Sequence, residues 1–419
     1  MLAPVITGAG LATPAGLSLA ENWQAIARGR SAIGPARRTD PYRAVCQAAA
    51  EVQPFTLASR LRVPKHEKYA GPAVACALRA AAEAAAQAGV DGPRADPARV
   101  GIYTGSGQTG LDVEEFFPAL TAAWNEDPTL DFRGLGGRAA RLVDPHFSLR
   151  TLANGAAALL AIELDAHGPS LNVVQGETAG ALALEAASDD LAEDRCDVAL
   201  VCACDSLLTP STLAAYAHAG LLSSLPPDRA GRPFTAGRDG IVPGEGAGAV
   251  VLERAQDASR RGARPLGVLA AVAVVSSVEA VTAVDISACD RAVGMAAGRA
   301  AEPPALVVAR GIATAADDAA EAAWLARRFG PSVPITAFKG LTGYLGAATA
   351  VVEAVLALAA LRARVVPPAG ARLDPGLEGA SRLVAGAPAS VASPGSEAVC
   401  VSWSWTGQAA AVAVRAIHP

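Results

Sequence analysis

The chain has 419 residues, 52% of them hydrophobic and 18% charged. That is about three times the length of one typical domain and too apolar for a disordered chain. A net charge of −5 argues against a general nucleic-acid binder, and with only 4% aromatic residues the core must come from Ala, Val and Leu.

Short β-branched runs alternate with Ala-rich helical stretches, the pattern of an α/β protein with buried strands. In the first half, strands are expected at 4–7, 100–104, 170–174, 198–204 and 247–252, and helices at 17–28, 65–88, 149–165 and 179–192. A charged break at 254–263 divides the chain into 1–255 and 256–419. The second half repeats the scheme, with strands at 266–275, 306–309, 335–338, 399–403 and 410–414 and helices at 290–300, 317–329 and 345–361. Pro and Gly cluster between 367 and 395, read as a loop-rich excursion within that half.

The uncharged opening, 1–20, lacks a basic leader and is interrupted by Pro4, Gly8, Gly10, Pro14 and Gly16. Other apolar runs are cut by charges such as Glu279, Lys339 and Glu353, so no membrane segment is expected. Seven scattered cysteines without a C-x-x-C pair read as reduced thiols in the cytoplasm, with Cys202 and Cys204 packing from one face of a strand. Five histidines show no metal spacing, so no metal is expected. Gly105-Ser-Gly107-Gln-Thr-Gly110 matches G-x-G-x-x-G, but no second strand ending in an acidic residue follows, and no nucleotide cofactor is inferred.

The segment from Gly168 to Gly180 is more telling, because a strand stops abruptly and an Ala-rich helix begins. Such a turn presents one side chain at a helix N-terminus, where an enzyme would place a cysteine to stabilise its thiolate. This chain places Glu177 there.

Several blocks, in order along nearly the whole chain, resemble those of the β-ketoacyl synthases. They are Val5 to Gly16, Glu21-Asn-Trp23 with Gly29 to Gly34, Gly168-Pro-Ser170, Phe234 to Gly240, Pro243 to Gly248, and Lys339 to Gly343 followed by Leu345 to Ala348. The resemblance implies a thiolase-like α/β fold, two similar βαβαβαββ halves forming an αβαβα layered core. It also implies a Cys-His-His triad, and here all three positions are replaced: Glu177 stands for the cysteine, Arg310 and Tyr344 for the histidines. Asp318, Glu321 and Lys339 match the family's support groups and are expected to keep the buried ion pair of its scaffold. A carboxylate is a poor acyl carrier, and an arginine cannot shuttle protons near neutral pH.

A ketosynthase-like chain without its triad resembles the chain length factor, the β subunit of type II polyketide synthases. That likeness implies a non-catalytic, cytoplasmic protein of polyketide (antibiotic) biosynthesis. Its partners would be a ketosynthase α subunit, in a heterodimer, and acyl carrier protein through the complex; no cofactor, nucleic acid or membrane is implied. The familiar factors carry Gln at the cysteine position, so Glu177 is a departure. By the same resemblance Leu111, Glu114, Phe117 and Pro118 would line the tunnel that sets chain length, and the strand at 170–174 would pair across the heterodimer. The alternative is that Phe116, Phe117, Leu120 and Trp124 simply pack their helix into the body. Trp405 takes the place of the family's gating aromatic, or is an ordinary core tryptophan.

Close approach of the former cysteine and histidine positions predicts a Glu177–Arg310 pair plugging the pocket, the alternative being that both turn to solvent. Two other functional readings stay open. One is a homodimeric scaffold of the same fold; the other is an enzyme using Glu177 and Tyr344 as acid and base.

Overall fold

The computed structural model describes residues 3–38, 45–57, 61–92, 96–107, 113–124, 129–137, 139–277, 284–297, 303–370, 372–391, 397–405 and 407–417. Its centre is a ten-stranded sheet. The first half contributes β1 (Val5–Ala12), β2 (Val100–Ser106), β3 (Ser170–Val173), β4 (Val198–Ser206) and β5 (Glu245–Glu253). The second contributes β6 (Gly267–Ser276), β7 (Leu306–Val308), β8 (Ile335–Thr336), β9 (Glu397–Ser404) and β10 (Gln408–Ala416). Across the sheet the order is β8-β7-β9-β10-β6-β1-β5-β4-β2-β3. Numbered within its own half, each set follows the same sequence outward from the centre, 1-5-4-2-3. The two halves meet where β1 and β6 pair antiparallel, Val5 opposite Val268 and Ile6 opposite Gly267.

Helices form three layers around the two half-sheets. On one outer face α2 (Pro72–Ala88) packs on β1, β4 and β5, and on the other α6 (Ile286–Ala297) packs on β6 and β10. Between the half-sheets lie α5 (Ala179–Ala192) and α8 (Thr349–Ala363), whose side chains share one core with strands of both halves. This is the duplicated, layered architecture that the family resemblance implies. Because both strand faces are covered, β1 and β5 are buried at every residue and, apart from Thr7, Glu245 and Glu253, read as apolar runs rather than alternating ones.

The middle layer also explains α8. The run Gly346–Ala363 is long and apolar enough to cross a membrane, yet 83% of it is buried inside the protein. A helix that is apolar all round belongs in a core or a bilayer, and here the core receives it. Close packing dictates glycine in β1: a Cβ on Gly8 or Gly10 would sit 2.0 Å from the Ala84 or Ala80 carbonyl of α2.

Several expected elements are shorter or broken. The helix expected over 65–88 is a 3-10 turn, Pro64–Tyr69, then α2, because Pro72 lacks a donor and starts a new helix after extended Gly71. The helix expected over 149–165 divides into Phe147–Arg150 and α4 (Gly155–Leu164), which follow α3 (Val113–Ala122) in the chain. The strand expected at 335–338 ends at Thr336, since Phe338 already caps a short helix, Lys339–Thr342. The charged stretch 254–263, between β5 and β6, holds a helix, Ala255–Arg260, with Arg254 tied to Asp197 and Asp257.

Candidate functional site

Glu177 lies in the 3-10 turn Gly176–Thr178 that joins β3 to α5, and it is 1% exposed. Gly176 takes a positive φ of 56°, which turns the chain sharply off the strand. Arg310 follows the end of β7 (Leu306–Val308) and is 0% exposed. The two side chains meet: Arg310 Nε donates to Glu177 Oε2 at 2.8 Å. The expected plug is therefore present, and neither group turns to solvent.

The pair belongs to a larger network. Lys339, at the start of its short helix, places Nζ 3.1 Å from Glu177 Oε1, and it donates to Glu353 Oε1 and to the Arg310 carbonyl, both at 2.8 Å. Arg310 Nη1 reaches Asp317 Oδ2 at 3.3 Å. The guanidinium also lies against two indoles, 4.8 Å from the centre of the Trp403 ring and 4.7 Å from that of Trp405. Burial alone would lower the pKa of Arg310, but Glu177, Tyr344 and Asp317 outweigh it and hold the group above its ordinary value. Lys339 is likewise raised: burial opposes its charge, and Glu177 and Glu353 more than offset that. Both cations therefore stay charged. Burial pushes the Glu353 carboxyl up to about 7, with Lys339 pulling the other way.

Tyr344 is buried beside this network, forming an aromatic wall with Tyr216 and Trp405. Ring centres lie 5.6 Å apart for Tyr344–Trp405, 5.9 Å for Tyr216–Trp405 and 6.5 Å for Tyr216–Tyr344. Leu207, Ile241 and Ile312 complete the cluster. Trp405 is thus both a packed side chain and a lid over the Arg310 guanidinium. Burial, then the Glu177 charge, raises the Tyr344 phenol well above its usual value, so it is neither a ready acid nor a base near neutral pH.

The expected scaffold ion pair is rearranged. Lys339 pairs with Glu177 and Glu353 rather than with Asp318 or Glu321. Those two carboxylates in α7 (Ala315–Arg328) hold the backbone that carries Arg310. Glu321 accepts from the N–H groups of Arg310 and Gly311 at 2.7 and 2.9 Å. Asp318 accepts from Phe234 at 2.7 Å and from Ile312 and Ala313 at 3.1 Å each, with Arg238 Nε 3.5 Å away. The physical reason is local: carboxylates in the first two turns of a helix reach the amides of the preceding loop, whereas Glu353 on α8 meets Lys339 directly.

The remaining expected residues lie elsewhere. Leu111 is outside the described residues, and so is the side chain of Glu114 on α3. Phe117 and Pro118 are exposed on α3; Phe117 is 52% exposed and Trp124, just beyond the helix, 58%. Packing this helix into the body by all four apolar residues is therefore corrected. Phe116 and Leu120 are half-buried, Phe116 against Phe147, while Phe117 and Trp124 face outward. Four site residues escaped sequence reasoning: Glu353, Asp317, Trp403 and Tyr216. Glu353 had a signal, as the sole charge between Leu345 and Leu361. Trp403 had a fainter one, since period-2 spacing puts it on the same strand face as Trp405.

All seven cysteines are buried, and burial raises the thiol pKa of Cys400 and Cys289, as it does for Cys202 and Cys204. Among the described residues there is no cluster of three or more metal-ligating side chains.

A duplicated layered fold with its most buried charges at the junction of the halves is that of the thiolase-like ketosynthases, and comparison with known proteins agrees. The β-ketoacyl synthase N-terminal domain family matches residues 4–258, and the β-ketoacyl synthase C-terminal domain family matches 267–371. The chain is 32% identical to a putative polyketide β-ketoacyl synthase 1 of Streptomyces halstedii over 87% of this chain and 86% of that protein. It is 30% identical to the tetracenomycin polyketide synthase ketoacyl synthase beta subunit of Streptomyces glaucescens over 87% of each. To a 3-oxoacyl-[acyl-carrier-protein] synthase 2 of Coxiella burnetii it is 28% identical, again over 87% of each. The ishigamide ketosynthase/chain length factor shares the fold, with a TM-score of 0.85 at 23% identity over the whole of both chains. The chain belongs to the β-ketoacyl synthase family, among relatives that include type II polyketide synthase subunits.

Proposed function

We propose that this chain is a non-catalytic chain length factor, which pairs with a ketosynthase α subunit and shapes the tunnel in which the polyketide grows. The observation that carries this reading is the Glu177–Arg310–Lys339 network. It fills the position that the resemblance assigns to the acyl-accepting cysteine with a carboxylate already engaged by two cations, and among the described residues no histidine bonds to it. A carboxylate so neutralised is a poor nucleophile, and its acyl product would be a hydrolysis-prone anhydride. Raised well above its ordinary pKa, Tyr344 gives the altered acid–base reading little to work with.

Support for a partner comes from the sheet edge. β3 ends the ten-stranded sheet, and Leu171 and Val174 there are 40% and 41% exposed. An open, partly apolar edge invites pairing with another chain. Among the described residues, apart from Val45 and Met295, the large exposed apolar side chains all fall between Phe117 and Val174, the stretch that leads into this strand. The β-subunit relative at 30% identity makes a ketosynthase-like partner the natural candidate.

Incubated alone with malonyl-loaded acyl carrier protein, the chain is expected to release no elongated ketide, and co-expressed with a ketosynthase α subunit it should elute as a heterodimer. Glu177→Cys is expected to stay inactive alone, because Arg310 and Tyr344 still occupy the histidine positions. Ketide formation by the unpartnered wild-type chain would overturn the proposal in favour of new chemistry. A stable homodimer indifferent to the α subunit would do so in favour of the scaffold.

A further inference from the structure

Well apart in sequence from Glu177, a cleft of about 730 Å³ opens between segments of both halves. Four arginines line it: Arg28 at the C-terminal end of α1 (Leu19–Ala27), Arg229 and Arg232 in the loop before β5, and Arg372 after α8. All four are exposed, and among the described residues none has a carboxylate partner. The one polar contact is internal, from Arg232 Nη2 to the Asp228 carbonyl. Among the described residues no aspartate or glutamate lines the cleft. This is unusual for a chain of net charge −5, in which Arg99, Arg254 and Arg261 all engage carboxylates.

Four like charges in one concavity repel each other, and its low-dielectric walls concentrate the resulting positive potential. Guanidinium forks match phosphate oxygens in pairs, and the volume falls in the range of about 300–1,000 Å³ used by small-molecule sites. Charge balance favours a ligand with several negative charges over a single carboxylate. Leu341 and Leu373 add an apolar wall. We infer that this cleft binds a small organic polyphosphate, a diphosphate or larger, with its phosphates on the arginines and its organic part against the two leucines. The inference is independent of the chain length factor reading.

Calorimetric titration at low salt tests it with three probes: ADP, inorganic pyrophosphate and adenosine. ADP is expected to saturate with a Kd below about 1 mM, pyrophosphate to bind more weakly, and adenosine not to bind. Added salt should weaken the binding of both anions. An Arg229→Ala/Arg232→Ala variant should weaken ADP at least about tenfold, a change of 1.4 kcal/mol, while Arg327→Ala outside the cleft leaves it unchanged. These arginines are exposed, so the variants should remain folded, which a thermal melt would verify. No saturable binding of ADP, or undiminished binding by the double variant, overturns the proposal. So does tight binding of a polyglutamate peptide without ADP binding, which would mark an acidic protein surface instead.

Discussion

Arg310 and the arginines of the cleft carry the same group under opposite conditions. Arg310 has no exposed surface and is met by Glu177, Asp317 and two indole faces. Arg28, Arg229, Arg232 and Arg372 are exposed and, among the described residues, have no carboxylate partner. Water solvates an exposed guanidinium at little cost, but a buried one must find its counter-charges inside the protein. The first arrangement closes a site; the second leaves charge available to something that arrives.

The largest effect should come from breaking the closed arrangement. Arg310→Met would strand two carboxylates in the interior and is expected to cost about 3–5 kcal/mol of stability in urea unfolding. The Glu177→Gln/Arg310→Met double variant should recover part of that loss. Strict additivity of the two single changes would show that they are not one coupled unit.

A second test uses pH. Burial raises several carboxyls, four of them far: Asp205 and Asp318 to about 6, Glu353 to about 7 and Glu321 to about 8. Each binds its proton more tightly folded than unfolded, so its contribution is fully present below the ordinary carboxylate range. It is then lost as pH rises through the folded value. The thermal midpoint is expected to fall by several degrees between pH 5 and pH 9, with Glu321→Gln flattening the upper part of the slope. A midpoint that rose over this window would contradict the placement of these groups.

The smallest effect belongs to the open arrangement. Arg232→Ala or Arg372→Ala should change stability by no more than about 0.5 kcal/mol, measured by the same unfolding curve. A larger loss would mean that these arginines hold the fold together, which would narrow the contrast with Arg310.

Much of this was legible along the chain. The alternation of apolar runs with Ala-rich stretches marks all ten sheet strands; strands covered on both faces, such as β1 and β5, are largely apolar, while the edge strand β3 is not covered. Glu177, Arg310 and Tyr344 stand out because they interrupt recognisable blocks. What stayed hidden was partnership. Nothing local tells Lys339 to choose Glu353 on α8 over Glu321, 18 residues before it, or brings Tyr216 against Trp405.

By itself the amino-acid order determined the alternation of strands and helices and the family, since each depends on residue types and short-range pattern. Only the tertiary structure decided which charges neutralise one another, that the apolar run ending at Ala363 is core, and that four scattered arginines share a cleft. Those outcomes depend on distance in space. Electrostatic and packing energies fall off over a few ångströms, whatever the separation along the chain.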